Sequence, residues 1–451
     1  MLQVKKSRPK QLFLSLDVII DSLLYMERTT MIMGAGAPLD LTLPKGVIWP
    51  STTNITTEVR KSYGMILKQG QTTDLVERVY QQLINVFPVN HNLWWIPNQQ
   101  PNIHFEILFH VLEQLRAYDW VWRGQCKNPC MYPYFAPFTS CNFGFSQEEL
   151  NDVIKPFIMR IMDIVSDYNE YYRHNMAAEG WFADFFKMTH KWDVFNFNYD
   201  TMVEDSLGTY EDGYEDVAGE NYQKFSPLKL NQNAGGLSTV NHMHGCIRYY
   251  YKKNGNTDLL ETTIHDLYKY PDYATVKGMM IGRGQSNEVS QTNEEYISGP
   301  IITGLKKTDK ISCSPYDCYH GNLYKSLYGS NALVIVGYSF GDLYVNNLIR
   351  MMQTLYGDKK RIVIIDKWNQ KTINSESGGL EKYIQAYISP QEVMFWQMMA
   401  GCTSVGELID GFLQDDVTKV MVSKNGCLMI LADGFKAAVG HKAEIEAFLG
   451  S

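Results

Sequence analysis

The sequence predicts an α/β chain on a Rossmann-like parallel sheet, with a mainly helical insertion and a small C-terminal α+β region. Three observations predict it. First, Ala332 to Asp366 reads as strand, helix, strand. ALVIVG and RIVIID are continuous apolar runs of the kind buried on both sheet faces, and Val345, Leu348, Ile349 and Met352 form a helical stripe between them. Such a βαβ unit implies two parallel strands joined by a right-handed crossover. Second, a short apolar strand at Thr29 to Met33 runs directly into Gly34-Ala35-Gly36, where glycine permits a tight turn. Third, Gly34, Asn198, His244 and Gly337 all fall at predicted strand ends, and ligands of parallel sheets bind beyond the carboxyl ends of the strands.

Taken in order, residues 11 to 25 carry an apolar stripe (Leu14, Val18, Ile19, Leu23) and are expected as an amphipathic helix. The basic residues before it give it the look of a signal peptide, but Asp17 and Asp21 interrupt the apolar run and no cleavage-like site follows. No apolar run approaches the roughly 20 residues that span a bilayer, so a cytoplasmic protein without membrane contact is expected. Helices are predicted over 72 to 87, 103 to 119 and 146 to 173, separated by Trp- and Pro-rich stretches at 93–97 and 129–137. Together they make a helical insertion over about residues 60 to 185. The last helix opens on a capping box, Ser146 with Glu149, and Pro156 should kink it or mark its start.

A strand is predicted from Trp192 to Asn198, then an exposed acidic loop from Glu211 to Glu220, then a strand over 241 to 251 interrupted at Gly245. Residues 252 to 330 read as loop-rich, with no long helix. In the βαβ unit Asp342 is a plausible N-cap and Gly357 stops the helix. The composition changes after residue 371, where NQKTINSESGG (369–379) reads as a linker. Residues 1–371 are therefore taken as one unit and 372–451 as a second, with a hairpin around Lys424-Asn425-Gly426.

The composition narrows the function. With 451 residues, 45% hydrophobic and 20% charged, the chain can bury a large core, which excludes global disorder. Lys plus Arg number 41 against 49 Asp plus Glu, a net charge of -8, so no direct nucleic-acid binding is expected; the basic clustering at Lys306, Lys307 and Lys310 is slight. Eight cysteines include no CxxC pair, and the groups Cys126/Cys130/Cys141 and Cys313/Cys318 lack a second half. Free thiols are expected. His242 and His244 form an HxH pair without an obvious third ligand, so no metal is expected.

Each motif alone admits a bland reading. Gly34-Ala35-Gly36 suits a phosphate-holding turn and a purely structural turn equally. A dinucleotide fingerprint would want Gly or Ala at position 39, which is Leu, and no acidic residue ends a second strand about 20 residues on. Hydride transfer from a nicotinamide is therefore disfavoured. Asn198-Tyr199-Asp200 is also good material for an Asx turn.

The four motifs in order carry more than any one. MGAGAPLDLTLP (33–44), FNFNYDTMVE (195–204), MHG (243–245) and VIVGYSFGD (334–342) resemble the sirtuin catalytic domain, and more closely the sirtuin-like NADases of bacterial anti-phage defence. Phe105-Glu106 on an intervening helix fits the same family. The resemblance covers roughly residues 28 to 368. Two departures stand out: Pro38 replaces a frequent serine, and the zinc ribbon of protein-deacylating sirtuins is missing from 246–330.

The resemblance implies hydrolysis of NAD+, as substrate, to nicotinamide and ADP-ribose. It implies Asn198 on the ribose and the attacking water, His244 as proton acceptor, and Asp200 on the nicotinamide carboxamide or the loop geometry. The cofactor-binding set it implies is Gly34, Ala35, Gly36, Asp40, Gly337 and Ser339. It further implies gating, through a homo-oligomer, a HerA-like ATPase ring or a short Argonaute. Alternatives are a non-enzymatic NAD- or ADP-ribose-binding module and a protein-lysine deacylase.

Overall fold

The computed structural model describes residues 28–61, 74–86, 103–122, 147–188, 191–233, 236–251, 267–282, 286–289, 295–298, 300–304, 307–311, 314–375, 379–415 and 420–450. The helix expected over 11–25, Ser146, Cys126, Cys130, Cys141, Cys313 and the two Trp- and Pro-rich stretches lie outside those residues.

The strands are β1 (Arg28–Met33), β2 (Lys191–Asn196), β3 (Tyr214–Asp216), β4 (Gln223–Phe225), β5 (Thr239–His242), β6 (Tyr249–Tyr251), β7 (Leu267–Lys269), β8 (Ser286–Val289), β9 (Glu295–Ser298), β10 (Ala332–Val336), β11 (Arg361–Ile365), β12 (Phe412–Asp415), β13 (Val420–Ser423) and β14 (Leu428–Leu431). Eight of them form one sheet in the order β12-β13-β14-β11-β10-β1-β2-β5. From β14 to β5 every neighbouring pair is parallel. β12 and β13 are antiparallel additions at one edge. This is the α/β Rossmann-like sheet expected.

The order places the ligand crevice. From β1 the chain moves outward through β2 to β5, then returns to the other side of β1 for β10 and β11. The direction reverses between β1 and β10, and such a switch point leaves a crevice beyond the strand ends because the flanking loops diverge. β1 and β10 are apolar because they are covered on both faces: every residue of β10 is buried, as are Thr29 to Met33 of β1. Burying each Val or Ile there contributes roughly 1.5–3 kcal/mol.

The helices that bear on the site are α1 (Thr52–Arg60), α2 (Leu75–Val86), α3 (Phe105–Trp122), α4 (Gln147–His174), α5 (Trp181–Phe186), α6 (Met202–Leu207), α7 (Tyr273–Gly282), α8 (Tyr316–Gly329), α9 (Leu343–Tyr356) and α10 (Pro390–Ala400). Between α1 and β2 the described residues contain helices and no strand. α4 runs through Pro156 from Gln147, so the proline does not mark its start.

Three expectations need correction. Residues 252–330 are not free of long helix: α8 spans Tyr316–Gly329 and α7 spans Tyr273–Gly282. The stripe of α8 is masked in the sequence because it mixes Tyr316, Tyr319 and Leu323 with His320 and Ser326, and Gly321 interrupts it. The acidic stretch from Glu211 is not wholly exposed, because Glu211, Asp212 and Tyr214 are buried and Asp212 pairs with buried Lys269. The 369–379 segment is not simply a linker, since Gln370–Ser375 is helical. Beyond it, β14 pairs with β11, so C-terminal strands extend the same sheet.

Candidate active site

Two turns interlock at the switch point. Gly34 N–H donates to the Val336 carbonyl and Gly36 N–H to the Gly337 carbonyl, both at 2.9 Å. A Cβ on Gly34 would stand 2.6 Å from the Gly337 oxygen, and one on Gly337 would stand 2.4 Å from the Ala37 nitrogen. Gly337 also has φ +55°, in the left-handed region that favours glycine. The glycines are therefore required first by backbone against backbone. Ala37 N–H donates to the Gly34 carbonyl, which leaves Ala35, exposed at the tip, without a bond of this set.

Asn198 closes onto this turn. Its Nδ2 donates to the Gly34 carbonyl at 3.0 Å, and its backbone N–H donates to Asn196 Oδ1 at 3.0 Å. Parallel pairing of β1 with β2 puts Met33 beside Asn196, so the residues after each strand meet at the same edge. With Nδ2 committed, Oδ1 of Asn198 is left for a ligand.

The Asp200 carboxylate is engaged with the scaffold. Tyr168 OH of α4 donates to its Oδ2 at 2.6 Å and Met202 N–H to its Oδ1 at 3.1 Å. Burial pushes its carboxyl up to about 6, against these two hydrogen bonds. Next to it Asn169 of α4 brackets Thr201, donating from Nδ2 to Oγ1 at 3.1 Å and accepting from its N–H at 2.9 Å. Arg173 forms an ion pair with Asp205. α4 thus clamps the Asn198–Asp200 turn and α6, which is how the helical region reaches the site.

His244 arrives from the turn after β5. Its Nε2 lies 3.3 Å from Asp342 Oδ2, and its ring meets Phe197 edge-on with centroids 5.0 Å apart. Phe197 in turn packs on Tyr338 at 5.3 Å. These contacts join the ends of β2, β5 and β10. Gly245, at φ +91°, is needed because a Cβ there would lie 2.3 Å from the Pro300 carbonyl oxygen. The strap at 300–302 is bonded to this turn, with Ile302 N–H donating to the His244 carbonyl at 2.7 Å.

Burial lowers the basicity of His244, helped by Lys307 and opposed by Asp342. The Asp342 carboxylate goes the other way: burial would raise it, but the His244 hydrogen bond, Lys307 and the Val345 N–H hold it well below the usual range. The pair is a neutral imidazole beside an ionised carboxylate. A neutral ring facing a carboxylate donates its N–H, so Nε2 carries the proton and Nδ1 keeps the lone pair. That is a base held in one tautomer. Lys307, paired with Glu106 of α3 at 2.9 Å, places a cation within reach of both groups.

Asp342 caps α9 as expected, accepting from Tyr344 N–H at 3.0 Å and Val345 N–H at 3.3 Å. Its second role, orienting His244, was not legible from local sequence. Ser339 is exposed on the same loop. Asp40 turns toward the C-terminal segment, pairing with Lys367 and accepting from Lys436 N–H at 3.0 Å.

His242 does not share a site with His244. It is fully buried, with Nε2 2.7 Å from Glu204 Oε1, and Cys246 completes a group whose ligand atoms lie within 4.8 Å of one another. Two ligands of one tetrahedral zinc stand roughly 3.3 Å apart, as follows from zinc–ligand distances near 2.0 Å, so His242 and Glu204 sit too close to share an ion through these atoms. Burial acts to raise the Glu204 carboxyl, but His242 and then Lys269 bring it to about 2. The group fits a buried carboxylate–imidazole hydrogen bond better than a cation site.

Among the described residues no helix is long and apolar enough to cross a membrane. No curated protein matches the chain. Residues 193–387, which run from β2 past β11 and include Asn198, Asp200, His244, Gly337 and Asp342, match the family model of the SIR2-like domain, to which this part of the chain is similar.

Proposed function

We propose that the protein hydrolyses NAD+ to nicotinamide and ADP-ribose, as a gated effector that depletes cellular NAD+ in anti-phage defence. One observation carries the reading. The Asn198 amide bonded to Gly34 and the His244–Asp342 pair come together at the sheet's switch point, and Asn198, His244 and Asp342 fall in the residues that match the SIR2-like domain.

The bond to be broken joins the ribose anomeric carbon to a positively charged ring nitrogen. Its cleavage releases neutral nicotinamide and leaves an oxocarbenium-like centre for water to attack. Asn198 Oδ1 suits a ribose hydroxyl or that water, and Nδ1 of His244 suits the proton given up as the new C–O bond forms. The Ala35 N–H and the adjoining turn suit the diphosphate. Lys307 adds positive charge at the same edge. Asp200 supports the loop through Tyr168 and Met202.

The test is a time course of NAD+ loss, with nicotinamide and ADP-ribose quantified, for the parent, Asn198→Ala and His244→Ala. Each variant should lose at least a hundredfold in rate, the usual order for a removed acid–base group. Variants as fast as the parent would overturn the roles, and tight NAD+ binding without turnover would make the protein a binding module. Unregulated cleavage would drain the host, so activity is held until self-assembly or a partner releases it. A HerA-like ATPase and a short Argonaute are the partner classes to test by co-purification from the native operon. A lone monomer active under all conditions would count against gating.

A further inference from the structure

α8 packs one face under the sheet, and its buried positions run Tyr316, Tyr319, His320, Leu323, Ser326 and Leu327. Ser326 explains itself, because its hydroxyl donates to Asp193 at 3.1 Å and bonds Thr30 at 2.7 Å. His320 does not. It is 6% exposed, and neither ring nitrogen has a hydrogen-bond partner. Its one ring contact is edge-on to Tyr344, centroids 5.0 Å apart, which Phe would make as well. An imidazole buried without a partner costs roughly 1–3 kcal/mol relative to one that is satisfied, so an apolar residue would serve this helix better.

Its position supplies a reason. His320 packs on Tyr344, whose N–H donates to Asp342 Oδ1 at 3.0 Å, and it lies within electrostatic reach of His244 and Asp342. Burial, with His244 adding to it, pushes its basicity down to about 4, and the ring is neutral at physiological pH. A neutral imidazole offers one donor and one acceptor and no charge. It can donate one N–H but brings no positive charge, and with the Asp342 carboxylate within electrostatic reach it suits an uncharged group better than a phosphate.

We infer that His320 is a further ligand-contacting residue of this site, bonding an uncharged group that donates and accepts, a ribose hydroxyl or the nicotinamide carboxamide. The inference rests on the reading that the site takes NAD+.

The experiment uses the full-length chain with His320→Phe, which keeps volume and ring contact, and His320→Asn, which keeps a donor and an acceptor. NAD+ hydrolysis gives KM and kcat, calorimetry gives the affinity for ADP-ribose, and thermal unfolding reports folding. His320→Phe should melt no lower than the parent while KM for NAD+ rises about tenfold, and His320→Asn should recover part of it. A tenfold change corresponds to about 1.4 kcal/mol. A parallel loss in ADP-ribose affinity assigns the contact to a ribose hydroxyl; unchanged ADP-ribose affinity assigns it to the carboxamide. If the parent cleaves NAD+ and His320→Phe matches it in KM and ADP-ribose affinity, the inference is overturned and the proposed function stands. If the parent neither cleaves NAD+ nor binds ADP-ribose, the proposed function fails and takes this inference with it.

Discussion

Asp342→Asn separates two jobs held by one side chain. Oδ1 of Asp342 accepts from the first turn of α9, and Oδ2 faces Nε2 of His244. Asparagine is as good an N-cap as aspartate, so its single oxygen stays with the Tyr344 and Val345 N–H groups. The amide nitrogen then faces His244. An N–H group cannot accept from Nε2–H, so the imidazole must move its proton to Nδ1 and accept through Nε2. The lone pair on Nδ1 is lost, and with it the base. Loss of the carboxylate also removes an influence that holds His244 basicity up, so it falls further. Stability should change little, by about 0.3–1 kcal/mol for the charge lost at the helix N-terminus. NAD+ cleavage should fall by about two orders of magnitude, the lower end of what general base catalysis supplies. Asp342→Ala should lose the same activity and, in addition, about 1 kcal/mol of capping. The assay pairs thermal unfolding with the rate of nicotinamide release. Full activity in folded Asp342→Asn would refute the tautomer argument; equal destabilisation of both variants would refute the capping argument.

Two further outcomes follow from packing and burial. Gly337→Ala should abolish the described arrangement of the two turns, since the new Cβ would lie 2.4 Å from the Gly36 carbonyl carbon and the Ala37 nitrogen at a strained φ. A lowered melting temperature with loss of ADP-ribose binding is expected; an unchanged melt would mean the turns are not interlocked in solution. Glu392, 7% exposed on α10, is pushed up to about 9 by burial and then by Asp366. Its folded form therefore binds a proton that the unfolded chain releases above about pH 4.5, and stability falls as pH rises from there toward 9. By linkage the cost at pH 7 is about 3 kcal/mol. Glu392→Gln should thus gain stability relative to the parent as pH rises from 5 to 8, and parallel melting curves across that range would contradict it.

The central βαβ unit was readable because its signal is local: ALVIVG and RIVIID are apolar on both faces, and Asp342 and Gly357 mark the ends of the helix between them. The corresponding strands and α9 form as expected. α8 was harder to read, since tyrosines, a histidine, a serine and an internal glycine blur its stripe. Burial of Glu211 and Asp212 was not legible at all, because it depends on Lys269 from a distant strand.

The amino-acid order by itself determined which backbone could turn where, because glycine after a strand, an aspartate before a helix and runs of β-branched residues act on their immediate neighbours. It thereby put Gly34, Asn198, His244 and Gly337 at strand ends. Only the tertiary structure decided what each side chain faces. It tied Asn198 to Gly34, gave Asp200 to Tyr168, sent His242 to Glu204 and His244 to Asp342, and buried His320 against Tyr344 without a hydrogen-bond partner. Those pairings span from 32 to 164 positions of chain, and over such separations only the folded sheet, not local propensity, brings two groups within hydrogen-bonding distance.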